Sequence, residues 1–222
     1  MYRTLLCLFA AILLNGCGID YVGSTKYIFK GRIEDASGWP IPNIEVATFV
    51  SDGNTSDVIG YDRTDSDGNY TMIFPKARNV ETSLYINSEF YGSHINPSYS
   101  GISIININQQ EIDNYTINFG ISTLYRNQDL ISFRINLINL SNIPLVNLQV
   151  TGQLQESVVD YSAMLLDDSF NPEETYTNGY IPTEYMVAKN QTLILKYLLA
   201  DGTISELNVP VGTENLTINL EY

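Results

Sequence analysis

Gly31-Arg32-Ile33-Glu34-Asp35-Ala36-Ser37-Gly38-Trp39-Pro40-Ile41-Pro42-Asn43-Ile44-Glu45-Val46, closed further on by Thr64-Asp65-Ser66-Asp67-Gly68-Asn69-Tyr70, is the part of the chain from which the rest is read. Alternating residues lead up to Glu34 with the period of a half-buried strand. Asp35, Ser37 and Gly38 then supply turn chemistry, and Pro40 and Pro42 fix φ and carry the backbone stiffly into a second strand at Ile44. Asn43, at the approach to that strand, tolerates a left-handed backbone. The Asp65–Gly68 group makes another turn, with Gly68 expected at positive φ, and feeds a third strand at Tyr70.

The same two-residue period extends outward. Tyr27, Phe29, Gly31 and Ile33 share one face, with Lys30, Arg32 and Glu34 on the other. Ile44, Val46 and Thr48 form the next strand, and Tyr70, Met72 and Phe74 a further one that Pro75 ends. Leu84 with Ile86, then Ile102 to Ile107, then Tyr115, Ile117 and Phe119 complete about seven strands, the number and turn spacing of a sandwich. Ser51 to Asp62 reads as a polar loop. This spacing resembles the carboxypeptidase regulatory-like domain, a small transthyretin-like β-sandwich common on bacterial envelope proteins, over residues 27–119. Phe90-Tyr91-Gly92 is similar to the aromatic-glycine corner late in that family. The resemblance implies a fold and a setting, and no chemistry.

Residues 120–222 are also β. Ile131, Phe133, Ile135 and Leu137 alternate with polar residues; Val146, Leu148 and Val150 follow the turn at Asn142-Ile143-Pro144. Leu193, Leu195, Tyr197 and Leu199 run into Ala200-Asp201-Gly202, a hairpin signal, and Leu207, Val209 and Val211 return. Leu216, Ile218, Leu220 and Tyr222 finish in alternation. The expectation is an all-β chain: a transthyretin-like β-sandwich followed by a second, immunoglobulin-like β-sandwich. One sheet system fused with the first domain is the alternative. No repeat of fixed period is visible.

The N-terminus reads separately. Arg3 precedes an apolar run from Leu5 to Leu14, too short for a bilayer span and of the length of a secretory h-region. Leu14-Asn15-Gly16-Cys17 resembles the lipobox of bacterial lipoproteins, which implies a signal peptide over 1–16, an acylated Cys17 and a lipidated tether over 17–26. Gly18 after the cysteine implies the outer membrane. Cys7 and Cys17 are the two cysteines, so loss of the signal peptide leaves no disulfide, thiol nucleophile or Cys-ligated metal.

Composition narrows function further. The 222 residues carry a formal charge of −14, divided as +1 over 1–26, −7 over 27–119 and −8 over 120–222. An acidic surface repels phosphate backbones, so no nucleic-acid partner is expected. His94 is the one histidine; no nucleophile elbow, zinc-helix motif, phosphate loop or dinucleotide fingerprint accompanies it. Asp62, Asp65 and Asp67 place carboxylates at a spacing that suits Ca²⁺, but an EF-hand register fails, with Lys76 where the bidentate Glu belongs. No cofactor is expected. Trp39 is a candidate sugar platform or a packed turn residue. The stretch Asp167 to Tyr185 sets Tyr176, Tyr180 and Tyr185 among acids and chain breakers, and these rings are candidates for a contact surface. The expected function is a non-enzymatic, lipid-anchored envelope protein with a binding or scaffolding role toward an envelope protein or glycan. A glycan-binding or adhesin module of a polysaccharide-uptake system is the alternative, and a carboxylate-based hydrolase stands behind it.

Overall fold

A computed structural model describes residues 19–78, 80–90, 92–107, 113–161 and 181–222. The chain is all-β, with fifteen strands among the described residues. β1 (Tyr21–Asp35), β4 (Asn69–Ala77) and β7 (Thr116–Leu124) form one sheet in the order β4-β1-β7. Opposite lie β2 (Glu45–Ser51), β3 (Ser56–Arg63), β5 (Glu81–Ile86) and β6 (Ile102–Ile105), extended by β11 (Val158–Asp160), in the order β11-β6-β5-β2-β3. The inward positions of both sheets meet in one core of Phe29, Ile33, Ile44, Val46, Tyr70, Met72, Phe74, Leu84, Ile86 and Phe119. Phe29 is its centre: its ring meets Phe74 edge-on at 4.7 Å and Phe119 at 5.2 Å, contacts worth about 0.5–1.5 kcal/mol each beyond area burial.

The second body pairs β10 (Leu154–Gln155), β12 (Glu184–Ala188), β8 (Leu130–Ile138) and β15 (Leu216–Glu221) in that order. β14 (Ile204–Val211), β13 (Gln191–Leu199) and β9 (Leu145–Thr151) make the facing sheet. Its core holds Phe133, Ile135, Leu148, Val187, Leu193 and Leu195.

The two bodies repeat one topology. β1 lies between antiparallel β4 and parallel β7, and β8 lies between antiparallel β12 and parallel β15. Phe29 pairs with Met72 and Ile117; Phe133 pairs with Tyr185 and Leu216. In the facing sheets Val46 pairs with Ile86 as Val150 pairs with Leu195, and Leu84 with Ile104 as Leu193 with Val209. Phe29 to Phe133 and Val46 to Val150 span the same number of residues. β3 in the first half of the sequence, and the long stretch between β9 and β12 in the second, break the spacing elsewhere, which hides the repeat from any search for a fixed period.

Three expectations need correction. Residues 17–26 are not all tether: β1 begins at Tyr21, paired with Ala77, and Asp20 O accepts the Arg78 N–H at 2.9 Å. Gly23 and Ser24 sit in a bulge between Val22 and Lys26 rather than in a free linker. The polar loop Ser51–Asp62 contains β3; Asp52–Thr55 is only its hairpin turn, and the strand lacks an apolar stripe because its buried position is Gly60, beneath Phe74. Finally, β11 and Tyr161, from the second half, complete the first body: β11 pairs parallel with β6, and the Tyr161 ring lies 5.9 Å from Phe119.

Candidate functional site

The turn that opened the sequence argument stands at the end of β1 remote from Tyr21. The Asp35 carboxylate, through Oδ1, accepts the Ser37 N–H at 2.9 Å and the Trp39 N–H at 3.1 Å, while Gly38 takes φ +80°. Pro40 rejoins the sheet beside Glu34, and the Thr64 hydroxyl locks the return by donating to Ile41 O at 2.7 Å and accepting from Ile44 N–H at 2.8 Å. A rigid backbone thus holds the Trp39 indole outward, 72% exposed. Asn43 has φ +61°.

A half-open cleft of about 410 Å³ lies under that indole, where the two bodies meet, a size suited to a small ligand. The first body contributes Asp35, Ser37 and Trp39; the connection contributes Tyr125, Arg126 and Asp129; the second body contributes Gln153, Lys189 and Asn190. Its floor is braced from both sides. Tyr125 N–H donates to the Ser100 hydroxyl at 3.0 Å, Ser100 N–H to Tyr125 O at 2.8 Å, and Asn127 Nδ2 to Pro97 O at 2.9 Å. From the other body, Lys189 N–H donates to Asp129 O at 2.9 Å and its ammonium to Gln128 O at 2.6 Å. Asn190, at φ +58°, turns the chain at the rim.

Charge inside the cleft is mixed. Arg126 sits 4.0 Å from the Asp35 carboxylate, and its guanidinium carbon is 6.0 Å from the centre of the Tyr99 ring. Burial, and then the nearby Glu156 charge, push the Tyr125 phenol above its ordinary range, so at neutral pH it is a protonated donor. The side chains of Ser37, Asp129 and Asn190 carry no hydrogen bond among the described residues and are available to a ligand. An exposed aromatic face beside donors and acceptors of both signs suits a polyhydroxylated ring.

Of the candidate site residues that are described, Trp39 lines this cleft, together with Asp35 and Ser37 of its turn. Tyr185 does not line it. It is half-buried against the second core, 6.3 Å from the Phe133 ring, with its hydroxyl donating to Pro182 O at 2.9 Å. Tyr176, Tyr180 and Cys17 lie outside the described residues. Asp62 and Asp65 spend their oxygens on backbone. Asp65 accepts from Asp67 N–H and Asn69 N–H, the latter being the first cause that holds its carboxyl below the usual range. Asp62 accepts from Arg63 N–H and Thr71 N–H. Among the described residues no three metal-ligating side chains converge. Sequence reading missed Tyr125, Arg126, Asp129, Gln153, Lys189 and Asn190, which come from three separate connections; no local pattern announces that they meet.

No family model matches the chain, and no curated protein matches it. Solved structures similar to it share very little sequence and superpose poorly. The shaft pilin SpaA from Lactobacillus rhamnosus GG has 9% identity and a TM-score of 0.30, with 89% of this chain and 96% of that one covered. The tip fimbrial protein Mfa3 from Porphyromonas gingivalis has 9% identity and a TM-score of 0.28, covering 83% and 82%. A lipoxygenase from Cyanothece has 18% identity and a TM-score of 0.28 over 55% of this chain. The chain spans 20% of that lipoxygenase and 34% of the Bacillus anthracis TIE protein, well under two-thirds of either.

Proposed function

We propose that this chain is a non-enzymatic, lipid-anchored protein of the bacterial outer membrane that captures a glycan in the cleft between its two sandwiches. The observation that carries the reading is Trp39: a rigid Asx turn holds an indole 72% exposed over a cleft lined by amides, a phenol and both signs of charge. An exposed indole gains nothing for the fold, whereas a sugar ring stacked on it gains burial and CH–π contact. A binding role is favoured over hydrolysis because glycoside cleavage needs two carboxylates free to exchange protons, and Asp35 is committed to two backbone amides and Arg126. The anchor rests on Leu14-Asn15-Gly16-Cys17 closing an apolar run of h-region length.

Binding is tested by titrating cell-envelope oligosaccharides against wild type and Trp39→Ala. Loss of a stacked ring should weaken capture by about thirtyfold, the scale of about 2 kcal/mol for a hot-spot aromatic, with the melting temperature unchanged. Equal affinity for the two proteins defeats the cleft reading. The anchor is tested separately: Cys17→Ala should leave the membrane pellet for the soluble fraction, and the wild-type mass should include the acyl chains. A wild-type mass without lipid removes the anchor.

A further inference from the structure

Among the described residues no second sheet covers the outer face of the β4-β1-β7 sheet. Its outward positions alternate with the core residues: Lys26, Ile28, Lys30, Arg32 and Glu34 on β1, Thr71 and Ile73 on β4, and Asn118 and Ile121 on β7. Ile73 is 61% exposed and Ile121 58%. The register sets them on either side of β1, with Ile73 beside Ile28 and Ile121 beside Arg32. In a chain of net charge −14 this face is basic. Among the described residues three cations stand on it, and its one acid, Glu34, is 3.9 Å from Arg32.

The leash selects what meets this face. Asp20 is pinned to Arg78 by a backbone hydrogen bond and an ion pair of 3.5 Å, and the Tyr21 hydroxyl donates to Asp57 at 2.8 Å. If Cys17 carries lipid, the steps from it to Asp20 reach about 11 Å when fully extended. So short a tether keeps the first body at the headgroups and leaves it little choice but to lie on one of its surfaces. Outside this face the sequence carries 24 acids against eight basic residues, an excess that anionic headgroups repel.

We propose that the outer face of the β4-β1-β7 sheet seats on the phosphate headgroups of the anchoring bilayer, with Lys26, Lys30 and Arg32 against the phosphates and Ile73 and Ile121 among the upper acyl carbons. The proposal rests on the lipid-anchor reading for its biological setting. The free protein, being strongly acidic, gains little from this face; the tether supplies the local concentration that makes the contact effective. Each basic residue near an anionic surface is worth about fivefold in affinity, so the three together shift the ratio of seated to unseated protein by about a hundredfold.

The test holds the chain from Cys17 to Tyr222 on vesicles by coupling Cys17, its one cysteine, to a maleimide phospholipid. The protein is thereby anchored whether or not cells acylate it, and the wild-type mass measures acylation independently. Trp39→Phe removes the single tryptophan; Ile73→Trp, or Ile204→Trp on the second body, then installs a probe. On vesicles of phosphatidylethanolamine and phosphatidylglycerol with brominated acyl chains, the probe at 73 should be quenched and the probe at 204 should not. The triple charge reversal K26E/K30E/R32E should abolish the quenching at 73, as should neutral phosphatidylcholine vesicles. Equal quenching at 73 and 204, or quenching indifferent to the charge reversal, overturns the proposal. So does quenching of Asn54→Trp, in the β2–β3 turn at the tethered end, without quenching at 73: the body would then stand on its end.

Discussion

Gly68 shows how much one residue of the opening stretch controls. It sits at φ +77°, its carbonyl accepts Ile33 N–H at 2.8 Å, and its N–H donates to Asp65 O at 3.1 Å. A Cβ at this position would strike the Ile33 carbonyl oxygen and approach Pro40. Gly53 has a similar φ of +87° but nothing within 4 Å of its missing Cβ. Gly68→Val should therefore cost about 1–3 kcal/mol and Gly53→Val clearly less, measured as the difference in urea midpoints. Equal midpoints for the two variants would show that the crowding at Ile33 carries no energy. The positive φ at Gly68 was legible from the Asp-x-Asp-Gly spacing. The collision was not, because Ile33 lies in another strand and only pairing brings its carbonyl there.

At the scale of elements, strands with an apolar stripe were readable and strands without one were not. β1 from Tyr27 onward, β4, β8, β13 and β15 announce themselves because alternate residues turn to a core. β3 is an edge strand whose sides are both largely wet, so its composition is that of a loop. β11 has three residues and gains its place from β6 rather than from its own pattern. Tyr161, which follows it, is 8% exposed and plugs the first core beside Phe119. Tyr161→Ser should destabilise the first body by about 3–5 kcal/mol, the range for truncating a buried aromatic. Hydrogen exchange should accelerate at Ile102–Ile105 on β6 while β13 keeps its protection. Uniform acceleration across both bodies would mean that they unfold as one unit and that the plug is not local.

At the scale of the molecule, the repeated topology explains why the cleft escaped sequence reading. Each sandwich is legible by itself, but the cleft belongs to neither: it is the space between Trp39, at the far end of the first, and Lys189-Asn190, at a turn of the second. The distance between anchor and cleft follows from the register. From Tyr21 to Arg32, β1 is matched by Ala77 to Asn69 on β4, eight steps of about 3.4 Å. The cleft residues of the first body therefore lie about 35 Å along the sheet from the tethered end. The strand that crosses between the bodies also sets an order of assembly. A chain delivered N-terminus first presents β6 long before β11, and until residues 158–161 arrive the sheet ends on an open isoleucine-rich edge, the kind that recruits other chains. Closing it joins segments far apart in sequence, which slows folding. Closure of the first sandwich thus waits on residues 158–161, and until they arrive its bare edge is open to other chains.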